Sequence, residues 1–199
     1  ALLARVYLHA WQLSGDPYVR EIVEDILDYV MREMTAPNGG FYSTQDADSE
    51  GEEGKFFVWT EPEIRAALEG VVSNVDAVLA YWGVTPEGNF EGKNILHVAD
   101  MVERVAVRNG LPVEQMREDV SAARTVLFTL RKKRPAPHRD DKMIAAWNGM
   151  MLAAFAEAAR ALGRDEYRDV ATANASFLLR EMTAGENRLW RTHRDGVSK

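Results

Sequence analysis

The stretch MIAAWNGMMLAAFAEAARALGRDEY, residues 143–167, decides the reading of the fold. Its first twenty residues are apolar on nearly every side, which predicts a helix buried all round. Asn148, Glu157 and Arg160 interrupt that run and make it a poor membrane span. Asp165 reads as the N-cap of a second helix, whose apolar positions continue through Tyr167, Val170, Ala171, Ala173, Phe177, Leu178 and Met182.

The same pair stands at the beginning of the chain. Residues 1–13, ALLARVYLHAWQL, predict a helix buried on all sides, with His9 a core residue. Ser14-Gly15 stops it. Asp16 then caps a new helix with Pro17 in its first turn. Val19, Ile22, Val23, Ile26, Leu27, Val30, Met31 and Met34 recur at helical spacing, opposite a charged face. Leu3–Tyr18 aligns without a gap on Leu152–Tyr167. Arg32-Glu33-Met34-Thr35-Ala36 returns letter for letter at Arg180-Glu181-Met182-Thr183-Ala184. Each is followed by a turn and an aromatic pattern, Phe41-Tyr42-Ser43-Thr44 and then Leu189-Trp190-Arg191-Thr192. This is an internal repeat of a buried helix and its covering helix. The copies lie about 150 residues apart, too far for one solenoid unit of roughly 34–47 residues, so diverged hairpins are expected between them. Two helical layers of this kind fit an α/α toroid or an α-solenoid.

Between the copies, Gly39–Thr44 and Lys55–Thr60 read as strands of a β-hairpin around the loop Gln45–Gly54. Thr60 and Glu63 form a capping box that opens a helix to about Leu68, and Ser73 or Asn74 opens another that ends near Trp82-Gly83. Thr85–His97 reads as a loop and Val98–Arg108 as a helix. A long helix runs from Val113 to about Lys132, and Pro135 and Pro137 force an extended linker up to Asp141.

Composition narrows function. The 199 residues carry a formal net charge of -7 and no cysteine. An acidic chain argues against nucleic acid as a partner. The basic run Arg131–Arg134 reads as a solvated helix end. Disulfides, thiolate metal sites and cysteine nucleophiles are excluded. The first apolar stretch is broken by Arg5, His9 and Gln12, so no signal peptide is expected; a cytoplasmic setting without membrane contact is. The chain reads as a piece of a larger domain.

Three clusters could carry chemistry. In Asp46–Gly54 five carboxylates crowd together. They form either a solvated tip or a polar rim on which Asp46 or Asp48 binds a hydroxylated ligand. Its calcium-loop likeness fails because Phe57 stands where the bidentate Glu belongs, and no metal is expected. His138–Lys142 precedes Trp147-Asn148-Gly149. Asp140, Asp141, Lys142, Trp147 and Asn148 read either as a satisfied core network or as a sugar site, with Trp stacking on the ring and polar groups on its hydroxyls. Asn89–His97 places His97 near Asn94, as a structural residue or an acid–base one. Serine-hydrolase, P-loop, zincin and dinucleotide motifs are absent.

The run Gly39–Thr60, with Gly88–His97, Arg134–Pro137, Asp140-Asp141-Lys142 and Trp147-Asn148-Gly149, resembles the YyaL-like family. The animal members of that family are spermatogenesis-associated, thioredoxin-domain-containing proteins. The resemblance implies an N-terminal thioredoxin-like domain followed by a six-hairpin toroid similar to glycosidases and N-acylglucosamine epimerases. Residues 1–199 would be part of that one toroid, without the thioredoxin-like domain and the remaining hairpins. It implies carbohydrate binding or glycosidase- or epimerase-like chemistry, the alternative being a non-catalytic scaffold beside the thioredoxin-like domain. The expected catalytic set is Asp46, Asp48, His97, Asp140 and Asp141. Lys55, Trp59, Asn94, Lys142, Trp147 and Asn148 would contact the sugar, and no cofactor is expected.

Overall fold

The computed structural model describes residues 1–186 and 188–199. In chain order its elements are α1 (Leu2–Ser14), α2 (Pro17–Glu33), β1 (Thr44–Gln45), β2 (Asp48–Ser49), β3 (Glu52–Glu53), α3 (Glu61–Leu68), α4 (Val75–Tyr81), α5 (Val102–Arg108), α6 (Val113–Arg131), β4 (Arg139–Asp140), β5 (Met143–Ile144), α7 (Ala145–Leu162), α8 (Asp165–Glu181), β6 (Thr192–Arg194) and β7 (Val197–Ser198). The chain is mainly helical, as the sequence predicts. It divides into two compact units, residues 1–45 with 139–199, and residues 46–138.

The first unit contains both copies of the repeat. Gly15 closes α1 in the left-handed conformation, and the Asp16 carboxylate accepts from the Tyr18 N–H at 2.9 Å to open α2. Helix α7 packs on α1 and on α8. Ala4, Leu8, Val23, Leu27, Val30, Phe155, Ala158, Leu162, Tyr167 and Phe41 share one core. Each large side chain there contributes about 1.5–3 kcal/mol by leaving water. Phe155 lies between Phe41, stacked at 5.6 Å, and Tyr167, edge-on at 5.7 Å.

The repeat is structural as well as literal. After α2, Thr35 bridges to Phe41 and the Tyr42 N–H donates to the Met34 carbonyl at 2.9 Å. After α8, Thr183 bridges to Leu189 and the Trp190 N–H donates to the Met182 carbonyl at 2.7 Å. Identical pentapeptides therefore end the two covering helices in the same way.

Three expectations for this unit change. Neither α1 nor α7 is buried all round, because each is covered only by its neighbours in the unit. Leu2, Leu3, Val6 and Leu13 stay exposed on α1, as do Trp147 and Met150 on α7. His9 is not a core residue; it sits at the surface, 3.3 Å from Glu157, which also holds Arg5 at 2.7 Å. Asp165 is the first residue of α8 and not its cap: Arg164 occupies that position, drawn to Glu166 and to Glu24 of α2.

The strands also pair differently from the expected hairpin. β1 pairs antiparallel with β4, Thr44 opposite Asp140. β5 pairs with β6, and β6 with β7 across the turn Asp195-Gly196.

In the second unit, the acidic loop folds on itself as a tight hairpin. Asp48 lies opposite Glu53 and Ser49 opposite Glu52. Glu50 and Gly51 both take positive φ, 53° and 81°, the left-handed pair that a two-residue turn of the right twist needs. Lys55–Phe57 form a turn instead of a strand, held by Arg134, whose guanidinium donates to the carbonyls of Val58 at 2.7 Å and Phe56 at 3.2 Å. The Thr60–Glu63 capping box and the Asn74 cap form as expected. Helix α5 begins at Val102 and not at Val98. The Ala99 N–H donates to the Tyr81 carbonyl, holding that segment extended, and the Asp100 carboxylate accepts from the Met101 N–H at 2.8 Å. Ile64, Leu68, Val78, Trp82, Val105, Met116 and Leu127 form the core. Asp119 is buried in it. Burial pushes its carboxyl up, but bonds from Ser73 and Gln115 outweigh this and hold it below its ordinary value.

Candidate functional site

The segment leading into α7 gathers the first unit's candidate residues. It is extended because β4 and β5 are each tied to another strand, so residues 139–144 cross from one small sheet to another. The Asp140 carboxylate accepts from the Lys142 N–H at 3.1 Å and lies 3.4 Å from the Lys142 ammonium and 3.9 Å from Arg194. The Lys142 amide bond, joined by the Lys142 charge and the Ser43 hydroxyl, outweighs desolvation and holds the Asp140 carboxyl below its ordinary value. Asp140 is thus an anionic acceptor at neutral pH, suited to bind hydroxyls and unsuited to donate a proton. The Arg139 guanidinium carbon lies over the Tyr42 ring, 3.9 Å from its centre, with its Nε 2.8 Å from Asp141. That pair occupies Asp141 without burying it. Trp147, on the first turn of α7, leaves 47% of its surface open.

Asn148 is a different kind of residue. It is fully buried. Its Oδ1 accepts from the Phe41 N–H at 2.7 Å and from Asn174 Nδ2 at 2.9 Å. Its Nδ2 donates to the carbonyls of Phe41 and Ile144, both at 3.0 Å. All of its bonding capacity is spent inside the protein, which matches the core-network alternative.

The second unit separates its candidates in the same way. Asp46 and Asp48 are exposed. Lys55 reaches Glu50 at 3.5 Å and Glu52 at 3.1 Å, and Lys93 reaches Glu52 at 3.4 Å. The bond and charge of Lys55, then those of Lys93, hold the Glu52 carboxyl below its ordinary value. The hairpin is therefore partly neutralised by Lys55 and Lys93. Trp59 is only 5% exposed and its ring carries the Arg134 guanidinium at 3.9 Å, so it offers no stacking face. Asn94 is 1% exposed and bonded to the backbone of Thr85 and Trp59. His97 is exposed, with its Nδ1 3.3 Å from the Ile95 carbonyl and 3.5 Å from Asn89.

Open grooves are found among the described residues. One lies along Glu61, Arg65, Glu69 and Val75, the other along Thr35, Pro37, Ala173 and Arg180, and no candidate residue lines either. Among the described residues no cluster of His, Asp and Glu could hold a metal ion, and no helix is long and apolar enough to cross a membrane. Sequence reading missed His193. It is buried, its Nδ1 2.9 Å from the Ser198 hydroxyl, which donates to the Glu181 carbonyl. The signal was Asp195-Gly196, a hairpin turn that folds β7 back over it.

No protein-family model matches the chain. Spermatogenesis-associated protein 20 of Homo sapiens is 38% identical to it over 96% of the chain, and the Mus musculus protein of the same name is 38% identical over the same share. An uncharacterized protein of Caenorhabditis elegans is 29% identical over 80% of the chain. The chain spans 28% of the length of the human relative and 27% of the mouse one. With near-complete coverage at this identity, the chain belongs to the thioredoxin-domain-containing family of spermatogenesis-associated protein 20.

Proposed function

We propose that this chain is part of a carbohydrate-binding or carbohydrate-active α/α toroid, with its ligand site on the segment from Arg139 to Trp147. The toroid reading is supported by the repeated hairpins of the first unit and by the way β4 and β5 join strands that trail both copies. All 199 residues would belong to that one domain, acting in the cytoplasm beside the family's thioredoxin-like domain. The observation that carries the ligand reading is the combination at the start of α7: an ionised Asp140, a half-exposed Lys142 and an open Trp147 face. A sugar needs acceptors and donors for its hydroxyls and an apolar ring for its carbon face. Asp140 serves as an acceptor, and Asp141 and Lys142 bind hydroxyls. In the other unit, taken by itself, Asp46, Asp48 and Lys55 offer a polar surface of their own, and His97 an acid–base group. Trp59, Asn94 and Asn148 hold the scaffold in place and leave the ligand set.

The test is a glycan array and sugar-turnover screen on the full-length polypeptide, with D140N and W147A beside it. Binding or turnover that falls at least about tenfold in both variants is expected. A full-length protein that binds and turns over no sugar removes the reading. The scaffold alternative then stands, and it draws support from Trp59, Asn94 and Asn148 being structural.

A further inference from the structure

Helices α1 and α7 are apolar along most of their length, and the few charges they carry meet. Arg5 and His9 are the only basic side chains of α1, and Glu157 is the only acidic one of α7. The Glu157 carboxylate accepts a forked pair of bonds from Arg5, from Nε to Oε2 at 3.0 Å and from Nη2 to Oε1 at 2.7 Å. His9 Nε2 lies 3.3 Å from the same Oε2. Helix packing alone does not call for this trio. In the repeat alignment the counterparts of Arg5 and His9 are Ala154 and Ala158, and the counterpart of Glu157 is Leu8; all three are buried. Polar groups stand at three positions that are apolar in the other copy, and the three touch one another.

The arrangement prepares His9 to exchange a proton. A carboxylate oxygen can only accept, so Nε2, the ring nitrogen facing it, is the one that carries hydrogen. The lone pair of the neutral ring is then on Nδ1, which has no partner among the described residues. The Arg5 bond, joined by the Arg5 charge and by His9, outweighs desolvation and holds the Glu157 carboxyl below its ordinary value. An ionised carboxylate in this place fixes the ring and stabilises the imidazolium that forms when Nδ1 takes a proton, as in carboxylate–histidine pairs on unrelated folds. The His9 side chain is 56% exposed, so a small molecule can reach Nδ1. Arg5 spends Nε and Nη2 on Glu157, which leaves Nη1 for a ligand oxygen. Arg5 and His9 are one helical turn apart, with about 5–6 Å between their Cβ atoms, so one ligand can touch both.

We propose that Arg5, His9 and Glu157 form a proton-transfer site separate from the segment Arg139–Trp147. Its substrate class is a small carbonyl compound with a hydrogen on the neighbouring carbon. His9 Nδ1 takes that hydrogen as a proton. The C–H electron pair becomes a carbon–carbon double bond, and the carbonyl π pair moves onto the oxygen that Arg5 holds. The imidazolium then returns the proton to carbon and the carbonyl re-forms, so atoms and charge balance without a co-reactant. His9 is the catalytic residue; Glu157 positions its ring, and Arg5 positions Glu157.

A nitrobenzisoxazole probe tests the site in the full-length polypeptide. Its ring C–H gives a proton to a base as the N–O bond breaks, and the nitrophenolate released is read by absorbance. His9→Gln is expected to lower the rate at least about tenfold and Glu157→Gln at least about threefold, with the H9Q unfolding midpoint unchanged. Free imidazole added to H9A is expected to restore part of the loss, which a side chain with a purely structural role would not allow. H138Q removes an exposed histidine outside the site and should keep the wild-type rate. A wild-type rate in H9Q would overturn the proposal, and so would an H9A rate that imidazole raises no more than it raises the wild type. The probe contains no sugar, so this site and the carbohydrate reading fail separately.

Discussion

Replacing Asn148 with Ala should cost the first unit about 3 kcal/mol. The side chain satisfies both the N–H and the carbonyl of Phe41, at 2.7 and 3.0 Å, in a site closed to water. Truncation strands both groups, and each stranded buried group costs about 1–3 kcal/mol. The Ile144 carbonyl keeps its place at the start of α7, and Asn174 keeps its bond to Gly39, so neither adds a full penalty. With a urea slope of about 2 kcal/mol per molar, the unfolding midpoint should fall by about 1.5 M. Far-UV circular dichroism during urea titration reads the shift, and N148D should fare no better. Its second oxygen would face the two carbonyls that Nδ2 now serves, in a place where a charge is poorly tolerated. A midpoint lowered by less than about 0.3 M would show that Asn148 is not spent on the backbone, and would return it to the ligand candidates.

Arg134→Ala should loosen the 55–58 turn, costing about 2 kcal/mol through three carbonyl bonds and the Trp59 stacking, with Lys recovering less than half; amide exchange of Val58 and Trp59 reads this. Burial, and then the bond to Asp28, raises the Tyr167 phenol above 10.0, so its protonated form stabilises the fold fully below that value and the stabilisation is lost as pH rises past it. An ultraviolet tyrosine titration should therefore show a step that appears only on alkaline unfolding, and Y167F should remove it. Asp140 has the opposite sign. Its lowered pKa gives stability that is present above 3.8 and lost as pH falls through the folded-state pKa, so the gap between wild type and D140N in thermal melts should be full at pH 7 and shrink as pH falls below 3.8. Gly40→Ala should destabilise the unit by more than 1 kcal/mol, because Phe177 is fully buried and has no room to yield.

Most helices were legible because their signals are local. Asp16-Pro17, the Thr60–Glu63 box and Asn74 each satisfy orphan N–H groups within a few residues, and all three stand where the sequence puts them. The strands were harder. Gly39–Thr44 and Lys55–Thr60 look like hairpin partners, but pairing is non-local, and Thr44–Gln45 finds Arg139–Asp140 instead. The turn residues Glu50-Gly51 bring the hairpin inside the acidic loop. Burial was the least legible property. The apolar faces of α1 and α7 announce contact with something, and sequence cannot say whether that partner lies within these 199 residues. His9 was misread for that reason. The same ambiguity covers the candidate site: Asn148 and Trp147 are adjacent in sequence, yet a turn of helix sends one into the core and leaves the other open.

The most direct measurement is an indole-resolved NMR titration of the full-length protein with whichever saccharide the array selects. The site at Arg139–Trp147 predicts that the Trp147 indole signal moves in a saturable way, that Trp59 and Trp82 stay still, and that D140N abolishes the movement. Saturable binding that leaves the Trp147 signal fixed, or that D140N does not alter, contradicts the site.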